Sequence, residues 1–500
     1  MNALDWIAKW ADDMPGKIAL SSYDTGEKYT YKEVDTYANR LKCKFSELGI
    51  REGDRIAVLA EHGLEYIIIY AACQRMGAIL VPLNYRLSGS ELSRLIPDCS
   101  PQLFLYSEKQ EHQLEQLPLK NITSLSLRYI KDHYKTPDET PAEPYKIKED
   151  QPLFIFYTSG TTGSPKGVIY TNKMLFWNSL STSMQLGITY NDITLNTLPP
   201  YHTSGWNVFV TPLLHKGGHI GMVEKFDAER TLHLLEETRT TLFMALPTML
   251  LMMQNTPVFS TVHLRELRYI VSGGEAVKPG LIAHWKREKN IAIRPGYGLT
   301  EAGPGITSLH HDIALLKPNS IGKPNFYLDV KLIDPQGKTV AENQVGELCI
   351  KGKAVTPGYW NNSVQTKDKL KKGWLHTGDL ACKDKDGYLY LKGRKDDMYI
   401  SGGENIYPQE IELLLEQLQG VKKAVVLSAR DEKWGACGMA FVAMENPVPV
   451  VEIRSFLEAR AAAYKHPKYI FVLDEIPLTS LGKVSRKKLY HYFNTLTSGA

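Results

Sequence analysis

The chain has 500 residues, 43% hydrophobic and 23% charged, with 59 basic against 55 acidic residues and a net charge of +4. That balance fits a soluble globular protein of several domains, and it excludes the basic block that binds polyanions, so neither nucleic acid nor an anionic membrane is expected as a partner. The six cysteines (43, 73, 99, 349, 382 and 437) are scattered without metal or disulfide-framework spacing, which points to reduced thiols and a cytoplasmic setting.

The opening residues 1–7 carry no basic n-region ahead of an apolar stretch, and no run is long enough to span a membrane. Apolar residues at Val34, Tyr37, Ala38, Leu41, Phe45 and Leu48 then recur at a helical period, and 55–60 reads as a buried strand. The alternation continues with a helix over 64–75, a strand over 78–82, a helix over 89–97 and a strand over 102–106. This is the pattern of layered α/β packing around mainly parallel sheets. Residues 131–150 are polar, contain Pro137, Pro141 and Pro144, and read as a surface linker.

The apolar run 153–156 leads into Tyr157, Thr158, Ser159, Gly160, Thr161, Thr162, Gly163, Ser164, Pro165, Lys166 and Gly167. Gly160, Gly163 and Gly167 leave room for backbone N–H groups to converge on an anion. Ser159, Thr161 and Thr162 add hydroxyl donors and Lys166 a mobile charge, so the chemistry is that of phosphate. Pro165 before the lysine and Gly167 after it depart from the Walker pattern. The loop follows a strand's carboxyl end, where α/β folds put their ligands.

Further along, 198–206, 272–276 and 294–302 each bring polar groups to a strand-to-loop junction. Glu301 beside Thr300 suits a magnesium ion that bridges phosphates, because that ion takes one or two carboxylates plus water and substrate oxygens. Asp379, in 374–380, is able to accept from two ribose hydroxyls, and 383–397 alternates like a hairpin. From Met398 onward a helix over 408–418, strands over 424–427 and 439–444, a helix over 450–463 and a basic loop over 478–489 suffice for a small α+β domain.

Taken together, residues 157–168, 201–205, 297–301, 378–379, 393–394 and 482–483 resemble, in order and approximate spacing, the adenylate-forming (acyl-activating) superfamily, most closely its acyl-CoA synthetases and fatty-acid–CoA ligases. The resemblance spans essentially the whole chain. It implies an α/β fold: a large N-terminal region of layered α/β sheets over 1–395 that binds ATP and the acid, plus a small mobile α+β C-terminal domain over 396–500, with the hinge near Asp396. It also implies two half-reactions. A carboxylate attacks the α-phosphorus of ATP to give an acyl-adenylate and pyrophosphate, and the thiol of coenzyme A then displaces AMP.

By match to the family, Thr158, Ser159, Gly160, Thr161, Thr162, Gly163 and Lys166 hold the β- and γ-phosphates, and Glu301 the magnesium. Gly274, Glu275 and Ala276 with Tyr297 hold the adenine, Gly298 and Thr300 complete the ATP site, and Asp379 with Arg394 holds the ribose. Lys483 bridges the carboxylate and the α-phosphate, where a fixed ammonium offsets the repulsion of two anions; by composition alone it is one more cation in a basic tail. Gly402 and Gly403 match positions beside the pantetheine arm; Trp434 resembles a tryptophan that contacts coenzyme A in some aryl-CoA ligases, with a core tryptophan as the other reading.

His202 matches the gate residue of acyl-CoA synthetases and is grouped with Trp206 and Gly298 at the acyl slot. Amino-acid-adenylating relatives carry an aspartate where His202 stands, so a buried substrate ammonium would lack its counter-ion, which is costly. The expected substrates are therefore a small-molecule carboxylic acid, ATP and coenzyme A, and the reading favours a medium- or long-chain fatty acid. An aryl-acid CoA ligase, a ligase loading a carrier protein's phosphopantetheine, a luciferase-like oxygenase and a non-catalytic nucleotide-binding protein are the alternatives. The sequence indicates no oligomeric state.

Overall fold

The computed structural model describes residues 3–137, 145–158, 165–401, 404–432, 434–446, 448–479 and 483–497. By packing, the chain forms two compact units, Met1–Val330 with Ile350–Leu375, and Lys331–Cys349 with His376–Ala500. The expected boundary at residue 396 concerns a hinge in the chain, a different property from packing.

Among the described residues, the first unit contains a nine-stranded sheet in the order Lys323–Pro324, Thr307–Ser308, Ile293–Tyr297, Tyr269–Ser272, Leu242–Ala245, Ile193–Asn196, His219–Met222, Ile18–Ser22, Lys28–Thr30. The run from Ile293–Tyr297 to Ile18–Ser22 is parallel throughout. A second sheet orders Thr123–Ser126, Leu103–Tyr106, Arg55–Leu59, Ile79–Leu83, Pro152–Thr158 and Lys166–Thr171, parallel except for its last strand. Parallel neighbours need crossover connections and bury both faces, which is why Ile79–Leu83 is buried along its length and helix Leu64–Met76 is apolar almost all round. Local chemistry starts the helices. Capping boxes, Thr30 with Glu33 and Ser88 with Glu91, open Tyr31–Glu47 and Gly89–Cys99.

Residues 131–135, expected as linker, belong to helix Leu127–Lys135. Its buried face is Leu127, Ile130 and Tyr134, spaced three and four apart, and Ser126 caps it by accepting from the Tyr129 N–H. The prolines and polar residues that follow hid this short amphipathic period.

In the second unit, Val421–Asp431, Gly435–Met444 and Tyr469–Leu473 form a sheet with both faces covered. Alternate residues Ala424, Val426, Ala440 and Val442 pack with Ile411, Leu415, Ile453 and Leu457. Their neighbours Val425, Leu427, Met439 and Phe441 pack with Leu489 and Phe493. The latter two lie on helix Arg486–Thr497, which replaces the end of the expected basic loop. Its lysines and arginine disguised a helix whose apolar side closes the second face.

Candidate active site

The parallel strands Ile193–Asn196, Leu242–Ala245, Tyr269–Ser272 and Ile293–Tyr297 are neighbours, so the segments after their carboxyl ends emerge along one edge of the sheet. Those segments contain His202, Gly274–Ala276 and Tyr297–Glu301, which are dispersed over a hundred residues of sequence. Their glycines have steric causes. Gly274 has φ +84°, which a side chain rarely adopts, and a Cβ on Gly298 would stand 2.2 Å from Pro304 O. Gly274, Glu275, Ala276 and Gly298 are exposed, Tyr297 is buried, and Thr300 is half-buried.

Glu301 sits in the short 3-10 turn Thr300–Ala302. Its carboxylate accepts from the Tyr359 hydroxyl at 2.9 Å, and its carbonyl accepts from the Thr356 N–H at 2.7 Å. The side chain is half-buried. A hard oxygen ligand held on one side and open on another fits a magnesium ion that keeps substrate oxygens and water in its remaining positions.

Strand Pro152–Thr158 pairs antiparallel with Lys166–Thr171, putting Thr158 opposite Lys166 across the base of the Gly-rich loop. Ser159, Gly160, Thr161, Thr162 and Gly163 lie outside the described residues, as do Gly402 and Gly403. The turn at 199–206 is held by Gly205 N donating to His202 O at 3.0 Å, with the His202 ring 4.7 Å from that of Tyr201. Trp206, expected at the acyl slot, occupies a core position. It is 0% exposed, its Nε1 donates to Pro200 O at 2.8 Å, and it packs among His62, Tyr66, Tyr70 and Phe154. Burial pushes His62 down to about 4, so this aromatic cluster is uncharged at neutral pH.

A family profile described as AMP-binding enzyme matches residues 7–360, and one described as AMP-binding enzyme C-terminal domain matches 410–483. The chain belongs to the AMP-binding enzyme family. It is 32% identical to a feruloyl-CoA synthase of an Amycolatopsis species over 94% of both chains. It is also 32% identical to the long-chain-fatty-acid–CoA ligase FadD13 of Mycobacterium tuberculosis over 99% of both. The solved o-succinylbenzoate coenzyme A synthetase of Bacillus subtilis, in complex with ATP and a magnesium ion, matches with a TM-score of 0.88 and 29% identity over 97% of this chain and 99% of that one. The protein is thus an AMP-forming acid–CoA ligase that works through an acyl-adenylate. Ligases of this kind use ATP, magnesium and coenzyme A.

In the second unit of this ligase, Asp379 is buried and accepts from Arg394 Nη1 at 2.8 Å. Lys395 is engaged by Glu347 at 3.0 Å. Asp396 is exposed, and its neighbour Asp397 pairs with Arg486. Trp434 is 51% exposed and so is not a core tryptophan; its backbone N–H donates to Asp431 at 2.8 Å. Lys483 is exposed, and its carbonyl accepts from the Thr479 N–H at 2.6 Å where Leu478 and Val484 bridge. Among the described residues, no helix of the ligase is long and apolar enough to cross a membrane.

Tyr359 and Thr356, which hold Glu301, are not among the residues the sequence motifs single out. The one local signal was the turn chemistry of Thr356, Pro357 and Gly358 ahead of two aromatics; nothing in the spacing tied it to a glutamate 58 positions earlier.

Proposed function

We propose that this ligase activates a hydrophobic monocarboxylic acid, a medium- or long-chain fatty acid first, and transfers it to coenzyme A. The observation that carries the reading is the convergence of 198–206, 273–276 and 297–301 at one sheet edge, with Glu301 tethered there. The apolar side chains of Met244, Leu246 and Met249 lie on and just after strand Leu242–Ala245, and His202 supplies no negative charge for an ammonium.

In the proposed roles, Thr158, Lys166 and the Gly-rich loop hold the β- and γ-phosphates, Gly274–Ala276 and Tyr297 the adenine, and Asp379 with Arg394 the ribose. Magnesium, when bound with ATP, neutralises phosphate charge, and Glu301 is the residue suited to hold it. Lys483 stands between the acid's carboxylate and the α-phosphate during adenylation. Its ammonium offsets the repulsion of the two anions while the new P–O bond forms and pyrophosphate leaves. In the second step the thiol sulfur attacks the acyl carbonyl and AMP departs; Gly402, Gly403 and Trp434 are assigned to the pantetheine side. Rotation about Asp396 exchanges the residues that face the acyl group between the steps. His202 gates the acid slot, with buried Trp206 as backing behind it and Gly298 at its edge. The protein acts in the cytoplasm.

The second reading, an aryl acid, is supported by the likeness to the feruloyl-CoA synthase of an Amycolatopsis species. CoA-dependent AMP formation across fatty acids of increasing length and across cinnamic and benzoic acids decides between them. Turnover confined to aryl acids overturns the fatty-acid reading, and a preference for a holo-carrier protein over free coenzyme A overturns the acceptor.

A further inference from the structure

The segment 356–360 connects two parts of the phosphate site that are far apart in sequence. On one side it runs beside strand Lys166–Thr171. Trp360 N donates to Gly167 O at 2.7 Å, Ile169 N to Gly358 O at 3.1 Å, and Tyr359 forms an antiparallel bridge with Val168. The Thr356 hydroxyl reaches Ile169 O at 2.6 Å. On the other side, Thr356 N donates to Glu301 O at 2.7 Å and the Tyr359 hydroxyl to Glu301 Oε1 at 2.9 Å. Tyr359 is 6% exposed and its own amide donates to Thr366 Oγ1 at 3.0 Å, so neither backbone nor ring has freedom to drift.

We propose that Tyr359 is a positioning residue that presents the Glu301 carboxylate to the metal on the triphosphate and holds it at a fixed spacing from Lys166. The inference rests on Glu301 being the magnesium ligand. A phenol suits this task for a chemical reason. It donates one hydrogen bond to Oε1 and fixes the carboxylate plane, while leaving Oε2 and the full negative charge to a cation. A lysine or arginine in its place would neutralise the charge the metal needs. The same short segment grips the strand that begins at Lys166, so the cation and the carboxylate that meet one polyphosphate are set by one piece of backbone. Hydrogen-bonded supports of metal ligands are typically worth about 10–100-fold in metal affinity or activity.

The test compares Tyr359→Phe, Glu301→Gln and the double variant. Mn2+ binding in the presence of a non-hydrolysable ATP analogue is read by electron paramagnetic resonance, and the magnesium dependence of pyrophosphate exchange is read alongside. Tyr359→Phe keeps the ring, and thermal melts check that it folds; Tyr359→Trp is the second variant should it not. The expected result is Mn2+ affinity weakened about 10-fold or more by Tyr359→Phe, with the magnesium curve displaced to higher concentration. The double variant should bind Mn2+ no more weakly than Glu301→Gln alone, because the tyrosine acts through the glutamate. Unchanged Mn2+ affinity in a well-folded Tyr359→Phe protein, with Glu301→Gln clearly weakened, overturns the positioning role alone. Unchanged affinity in Glu301→Gln overturns the metal assignment and the inference with it. Additive losses in the double variant assign Tyr359 a role independent of Glu301 and also overturn the proposal.

Discussion

Arg394 donates to Asp379 at 2.8 Å, and the two are direct register partners on antiparallel strands Trp374–Lys383 and Leu389–Arg394. Each is a ribose candidate by its own match; the strand pairing makes them one unit. The guanidinium takes one carboxylate oxygen and so orients the other, while burial of Asp379 strengthens the bond. Hairpin register thus converts two separate residues into a preorganised acceptor.

Asp379→Asn keeps the shape of that unit and removes its charge. An amide presents one acceptor oxygen in place of two, and it loses the charge-assisted bond to Arg394. Hydrogen bonds to charged groups are worth about 1.5–3 kcal/mol, so ATP affinity measured by calorimetry is expected to fall about 10-fold or more. The Michaelis constant for the acid should stay within about twofold. Unaltered ATP binding would remove Asp379 from the nucleotide site.

Lys483→Ala is expected to slow adenylation, followed as pyrophosphate exchange, by about a hundredfold or more, the scale of losing a preorganised charge contact. Thioester formation from a synthetic acyl-adenylate and coenzyme A should be affected far less, since the phosphoryl step is already complete. Equal losses in both assays would refute a half-reaction-specific lysine and weaken the rotating-domain account.

Gly167→Ala tests the packing beneath the Gly-rich loop. A Cβ there would stand 2.7 Å from Ile155 Cγ2 and 3.2 Å from Trp360 Cβ, and the β-branched Ile155 has little rotamer freedom with which to yield. The expected cost is about 1–3 kcal/mol, seen as a lower urea midpoint. Because the strand also carries Lys166, the Michaelis constant for ATP should rise with it. A variant as stable as the parent would mean that the two strands separate more easily than their register suggests.

Glu412→Gln addresses pH. Burial raises the Glu412 carboxyl to about 7, against the lowering effects of the Val426 N–H, which it accepts at 2.8 Å, and of the charges of Arg486 and Lys423; Glu416 adds to the rise. A carboxyl whose folded value lies above its ordinary one favours the folded state while protonated. That contribution is complete below the ordinary carboxylate range and is lost as pH rises through about 7. Glutamine retains an acceptor for Val426 and does not ionise. The variant should melt near the parent at pH 5 and above it at pH 9. Parallel melting curves across that range would show that Glu412 does not titrate as described.

Much of the architecture was legible in the chain. Alternating helical and strand periods around 31–106 gave the layered α/β arrangement because parallel strands need crossovers and bury both faces, which leaves continuous apolar runs such as 79–83. Short motifs gave the family because phosphate binding demands particular backbone and hydroxyl chemistry at close spacing, as in 157–168. Weak, short or charge-masked amphipathic periods were lost, which is how 131–135 of helix Leu127–Lys135 passed for linker and 486–489 of helix Arg486–Thr497 for the end of a basic loop.

What the tertiary structure decided were the relations between distant residues. Trp206 is buried because Tyr66, Tyr70 and Phe154 close around it, and no local pattern announces that packing. Trp434 is exposed because it lies in the turn immediately before strand Gly435–Met444. The tie of Tyr359 to Glu301 exists because 356–360 runs along the strand after the Gly-rich loop. A hydrogen bond of 2.9 Å depends on where two backbones meet in space, and sequence separation carries no record of that meeting.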